Sequence, residues 1–154
     1  MSDFSFEYTP VGLFKRIMCI IYDTLLLVAI LFVVGLIVAT MATFLINDGN
    51  AITAEHPAYL AYQFLMLMAL FSSAFIFFGW FWINGRQTLG MKTWRIQLKT
   101  IDNQDLNWSL AAVRFITAIF SWLFLGLGFL WCLFDKKKRS WHDIASSTVF
   151  IQLS

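Results

Sequence analysis

The segment LFKRIMCIIYDTLLLVAILFVVGLIVATMATFLI, Leu13 to Ile46, holds one acidic side chain, Asp23, inside an apolar run long enough to cross a bilayer. A charge near the centre of a membrane helix costs about 2.5 to 3.5 kcal/mol on insertion scales, so intramembrane acids pair, face a bundle interior or line a solute path. Asp23 follows Arg16 by seven residues. At about 1.5 Å per residue the carboxylate sits about 10 Å deeper than Arg16, and on nearly the same helix face. From Ile17 to Ile46 the helix would extend about 45 Å, more than the hydrocarbon thickness of about 30 Å, so it must tilt or protrude.

Composition supports a membrane reading. Of 154 residues 60% are hydrophobic and 13% charged, against about a quarter charged in a soluble domain. The apolar residues come in runs rather than at amphipathic spacing, which disfavours a soluble helical core. Too little polar sequence remains for a separate enzyme domain. Cys19 and Cys132 lie in apolar segments and are expected as free thiols. His56 and His142 are distant from each other and from both cysteines, so no metal or cofactor is expected. The acidic Asp3 and Glu7 precede the first basic residues and the apolar run exceeds a signal-peptide core, so the first helix is expected to be retained.

Along the chain, the polar and aromatic residues Met1 to Pro10 lead into a helix over about 12–46. Asn47 to Pro57 is a turn-rich connection without Lys or Arg, expected on the outside. A second membrane helix covers about 58–83, with Tyr59 and Tyr62 near one end and Trp80 and Trp82 near the other. Small residues could pack helices closely: Gly35 and Ala39 in the first, Ala69, Ser72, Ser73 and Ala74 in the second. Residues 84–110 then carry Arg86, Lys92, Arg95 and Lys99, an inside signature that places the N-terminus in the cytoplasm as well. Alternation at Trp94, Ile96 and Leu98, turn chemistry at Asp102 and Asn103, then Leu106 and Trp108, predict a small cytoplasmic β-hairpin.

The third apolar segment, about 111–134, poses a topological choice. A simple crossing would put Lys136, Lys137, Lys138 and Arg139 outside, against the charge bias. Gly126 and Gly128 instead divide it into two pieces, which predicts a broken, re-entrant segment; three simple crossings are the alternative. Backbone that leaves the helix at membrane depth must be buried in protein or line water. In the tail, 135–154, Ser147 to Leu153 has strand character suited to pairing with the hairpin. The fold class expected is therefore an all-α membrane protein of one domain, with two full crossings, a broken third segment and a small hairpin.

These blocks together resemble the RDD family of small membrane proteins, named for one arginine and two aspartates. FKRIMCIIYDTLLL supplies Arg16 and Asp23. GRQTLGMKTWRIQLKTIDNQDLNWSLAAVR, Gly85 to Arg114, is similar to the family's central loop, with Thr88, Gly90 and Lys92. LFDKKKRSWHDIASSTVF, Leu133 to Phe150, is similar to its basic C-terminal block, where Asp143 takes the place of the second aspartate and Asp135 competes for it. The resemblance implies transport, with exchange of sodium or other monovalent cations for protons as the activity linked to some members.

On that reading Asp23 is the candidate ion-coupling group, while Arg16 and Asp143 form a gate or a clasp. The competing reading makes Arg16, Asp23 and Asp143 a structural ion-pair network in a non-transporting assembly or lipid-binding factor. His142, beside Asp143, is a candidate pH sensor. Lys136, Lys137, Lys138 and Arg139 are expected on anionic lipid headgroups. A transport path needs more helices than one chain supplies, so a homo-oligomer in the cytoplasmic (inner) membrane is expected. Gly85, Gly90 and Lys92 match no P-loop spacing, no nucleophile arrangement stands out, and no basic surface adequate for nucleic acid is present.

Overall fold

The computed structural model describes residues 9–102 and 104–153. The lead-in over residues 1–8 and Asn103 of the expected turn lie outside the described residues. Helix α1 spans Leu13–Ile46 and helix α2 Tyr59–Asn84, each within a residue of the expected bounds. Their mean hydropathies over the most apolar stretch are 3.0 and 2.1, yet only 6% and 11% of those stretches are buried. Apolar surface left uncovered on this scale is stable in lipid and not in water.

The chain divides into two compact units. The second, Leu25–Phe77, holds the remaining lengths of α1 and α2 and their connection. Gly35 lets the Leu70 side chain approach to 3.9 Å of the position a Cβ would occupy. Asn47 organises the connection by donating its side-chain amide to the Asn50 and Ala51 carbonyls at 3.2 and 2.9 Å.

The first unit, Met1–Thr24 with Phe78–Ser154, holds every other element. These are α3 (Leu89–Thr93), β1 (Ile96–Thr100), α4 (Trp108–Leu123), α5 (Leu127–Leu130), a 3-10 turn (Trp131–Leu133), α6 (Trp141–Ala145) and β2 (Thr148–Gln152). The expected hairpin does not form. Strand β1 pairs instead with β2, antiparallel, with Leu98 opposite Phe150. The second arm of the expected hairpin is lost to helix. Asn107 takes an extended conformation and its side chain accepts the Leu110 amide at 2.9 Å, an N-cap that starts α4 at Trp108. Trp108 then packs so tightly on α2 that a Cβ on Gly79 would meet its ring at 2.6 Å. The strand character of the tail is realised as β2, and Pro10 adds an isolated bridge to Ile151. Ile101, Val149 and Ile151 form an apolar cluster beside this sheet, covered by Leu153.

The third apolar segment is no straight crossing. Its helical parts, Trp108–Leu123 and Leu127–Leu133, meet at 108°. Leu125 and Gly126 turn the chain through positive φ, 55° and 80°, within the break predicted from Gly126 and Gly128. Gly128 is needed there for space: a Cβ would lie 2.0 Å from Ser121 Oγ and 2.9 Å from the Trp141 ring. The two limbs are therefore in contact across the bend. Gly128→Ala should lower the thermal unfolding midpoint in detergent, at an overpacking cost of about 1 to 3 kcal/mol. Gly12→Ala, where nothing lies within 4 Å, should leave that midpoint nearly unchanged.

Candidate buried charge site

Two charged assemblies form within the first unit, and Asp23 and Arg16 belong to different ones. Asp23 is 4% exposed. Its Oδ2 accepts the Thr88 hydroxyl at 2.5 Å and its Oδ1 the Gly90 amide at 2.9 Å. Thr88 is the N-cap of α3 and also accepts the Met91 amide at 3.2 Å, so the hydroxyl is used in both directions. Gly90 permits the approach, because a Cβ there would fall 2.6 Å from the Cys19 carbonyl oxygen and 3.0 Å from Asp23 Oδ1. Both donors to Asp23 are neutral groups.

Arg16 is committed elsewhere. Its Nη1 donates to Asp143 Oδ2 at 2.6 Å and to Ser140 Oγ at 3.0 Å. Nε and Nη2 donate to the carbonyls of Val11 at 3.2 Å and Lys138 at 2.6 Å. On the other side of Asp143, Arg114 Nη1 lies 2.7 Å from Oδ1, an ion pair rather than a well-aligned hydrogen bond. Arg114 also donates to Thr148 Oγ1 at 2.6 Å. The Ser140 amide donates to Asp143 Oδ2 at 2.9 Å, the carboxylate half of a capping box that starts α6. Both guanidinium groups lie over the Phe150 ring, 4.7 Å away for Arg16 and 4.8 Å for Arg114. Two buried cations thus share one carboxylate, and carbonyl oxygens, hydroxyls and an aromatic face supply the remaining negative potential.

Asp143, rather than Asp135, is the acid that meets Arg16. Burial alone would raise its pKa, but Arg114 and Arg16 outweigh that and hold it far below the usual carboxylate range. Asp135 pairs with Arg139, whose Nε lies 3.1 Å from Oδ2. Burial would raise Asp135 too, yet the hydrogen bonds from Arg139 hold it below its ordinary value. Lys136 and Lys138 are exposed, as expected of headgroup ligands, whereas Arg139 is half-buried.

His142, the candidate pH sensor, is buried. Its ring is buried against Phe129, with centroids 4.9 Å apart. Burial drives its pKa down to about 3, against the pull of Asp143. Its burial thus favours the neutral ring in the folded state. Arg114 is the residue that sequence reasoning left out of the site. Its signal was available: it is the single charged side chain between residues 111 and 134, and such a charge needs a buried partner.

A model of the RDD family matches residues 10–147, most of the chain. The chain belongs to the RDD family. No curated protein and no solved structure is significantly similar to it. Within the matched range, Arg16 is bonded to Asp143 and Asp23 to Thr88 and Gly90.

Two outcomes follow for the RDD charge cluster. Arg114→Gln removes one ion pair to Asp143 and the donor to Thr148 while the Arg16–Asp143 pair remains, and should destabilise the folded protein by roughly 1 to 3 kcal/mol, read as lost yield and a lower unfolding midpoint. For pH, His142 titrates near 6.5 when unfolded and at about 3 when folded. The unfolded state thus binds more protons between those values, and stability falls as pH drops through that window by up to roughly 1.4 kcal/mol per unit. His142→Phe should flatten this decline in unfolding midpoints measured from pH 7 to pH 5.

Proposed function

We propose that this RDD-family membrane protein exchanges monovalent cations, sodium among them, for protons, with Asp23 as the coupling carboxylate. One observation supports the reading above others: Asp23 is buried in a membrane helix and, among the described residues, accepts from the Thr88 hydroxyl and the Gly90 amide, while Arg16 is bonded to Asp143. A carboxylate whose bonded groups are neutral needs a counter-ion when ionised, and a proton or a monovalent cation can serve in turn. Were Arg16 bonded to Asp23, a fixed cation would occupy that role and oppose exchange. The Arg16–Asp143–Arg114 cluster acts in this scheme as a clasp, not a coupling site. The chain works as a homo-oligomer in the cytoplasmic membrane with its N-terminus inside, and several copies line the path that two helices cannot enclose alone.

A second reading, a non-transporting assembly or lipid-binding factor, draws support from the fact that Asp23 also ties α3 to α1. Reconstituted vesicles separate the two. Asp23→Asn should reduce cation-driven proton flux to the level of empty vesicles, while the amide oxygen still accepts from Gly90 and the fold is kept. Asp23→Glu should retain part of the flux. Wild-type flux from a well-folded Asp23→Asn protein removes Asp23 from the mechanism, and no flux from the wild-type chain favours the second reading.

A further inference from the structure

The bend between α4 and α5 brings polar groups together at its base and leaves an apolar tip uncovered. At the base, Arg114 lies 2.7 Å from Asp143, so the chain enters the bend and leaves it at the same level. The start of α1 is at that level too: Arg16 Nη2 donates to the Lys138 carbonyl at 2.6 Å, and Lys15 Nζ to Gln152 Oε1 at 2.7 Å. At the tip, Leu123, Phe124 and Leu125 are 71%, 56% and 92% exposed. No charged side chain occurs from Phe115 to Phe134, and the exposed Lys136 and Lys138 follow at once.

The backbone of the tip is closed on itself, as a lipid neighbour requires. The amides of Phe124, Leu125, Gly126, Leu127, Phe129 and Leu130 all donate to carbonyls between Phe120 and Gly126, at 2.8 to 3.1 Å. These are helix-end bonds of the kind that closes helix termini generally, and they meet the requirement hydrocarbon sets, where each open group costs several kcal/mol. Length limits the depth. From Arg114 to Leu125 the helix rises about 16 Å, half of a hydrocarbon slab of about 30 Å.

We propose that the α4–α5 turn is a wedge inserted into one leaflet of the bilayer, on the side where α1 begins, with Lys136 and Lys138 against anionic phosphate headgroups. The wedge anchors the first unit to the membrane whatever the protein transports. It also puts α6 and β2 on the same side as the start of α1, without a third crossing.

The test places a bimane fluorophore at Leu125→Cys, in a chain with Cys19→Ala and Cys132→Ala, reconstituted in vesicles containing phosphatidylglycerol. Lipids brominated in the upper acyl chain should quench it several-fold more than aqueous iodide. Stronger iodide quenching would overturn the proposal by placing the tip in water. Immunity to both quenchers would overturn it in favour of a protein neighbour, and labelling by an impermeant maleimide only from the face opposite the N-terminus would overturn it in favour of a crossing. Lys136→Gln with Lys138→Gln should abolish the extra thermal stability conferred by phosphatidylglycerol over phosphatidylcholine and leave tip quenching unchanged. Equal stabilisation of the double variant and the parent would overturn the headgroup contact.

Discussion

A single carboxylate between two guanidinium groups organises the first unit of this protein. Asp143 is wholly buried and joins Arg16 of α1 to Arg114 of α4 from its place on α6. A charge without exposure needs compensation in position, because desolvation is several kcal/mol per ion and is offset only by close, well-directed partners. The Ser140 amide, the Thr148 hydroxyl and the Phe150 ring complete that compensation. Three segments remote in sequence are thereby fixed at one point, and the strand pair β1–β2 is held against it.

The same commitment frees Asp23. Seven residues along α1, that carboxylate would have been the natural partner of Arg16 on helical geometry alone. Arg16 turns instead toward the C-terminal block, and Asp23 is met by the N-cap of α3, with Gly90 admitting the backbone at a distance that any side chain would forbid. Arg16, Asp143 and Asp23 thus serve two assemblies of different electrostatic character. One is an over-compensated ion cluster; the other is a carboxylate held by neutral dipoles. Their chemistry differs accordingly, since a fixed cation locks a carboxylate in its charged form and neutral donors do not.

The bend of the third apolar segment depends on these contacts as well. Gly126 provides a left-handed conformation, and Gly128 provides room for Ser121. Neither would return the chain to its starting level without Arg114 and Asp143 at the base. Local backbone permissiveness and a long-range ion pair act together, the bend at Leu125 and Gly126 being closed at its base by a buried salt bridge.

Much was legible from the order of residues alone. The two long helices follow from uninterrupted hydropathy, which acts locally and leaves only one stable state in lipid. The break at Gly126 and the strand character after Ser147 were visible for similarly local reasons. Pairing was not. Ile96 to Thr100 has the alternation of a strand, but alternation names no partner, and the N-cap at Asn107 with Trp108 on Gly79 diverted the nearer candidate into α4, leaving β2 to complete the sheet. Nor could spacing along α1 reveal that Arg16 and Asp23 part company, that Arg114 joins Asp143, or that His142 is buried against Phe129. Those outcomes are set by which side chains meet across more than a hundred residues of chain, as for Arg16 and Asp143. Hydropathy acts along the sequence; charge compensation in a desolvated interior acts through space, and only the folded chain decides it.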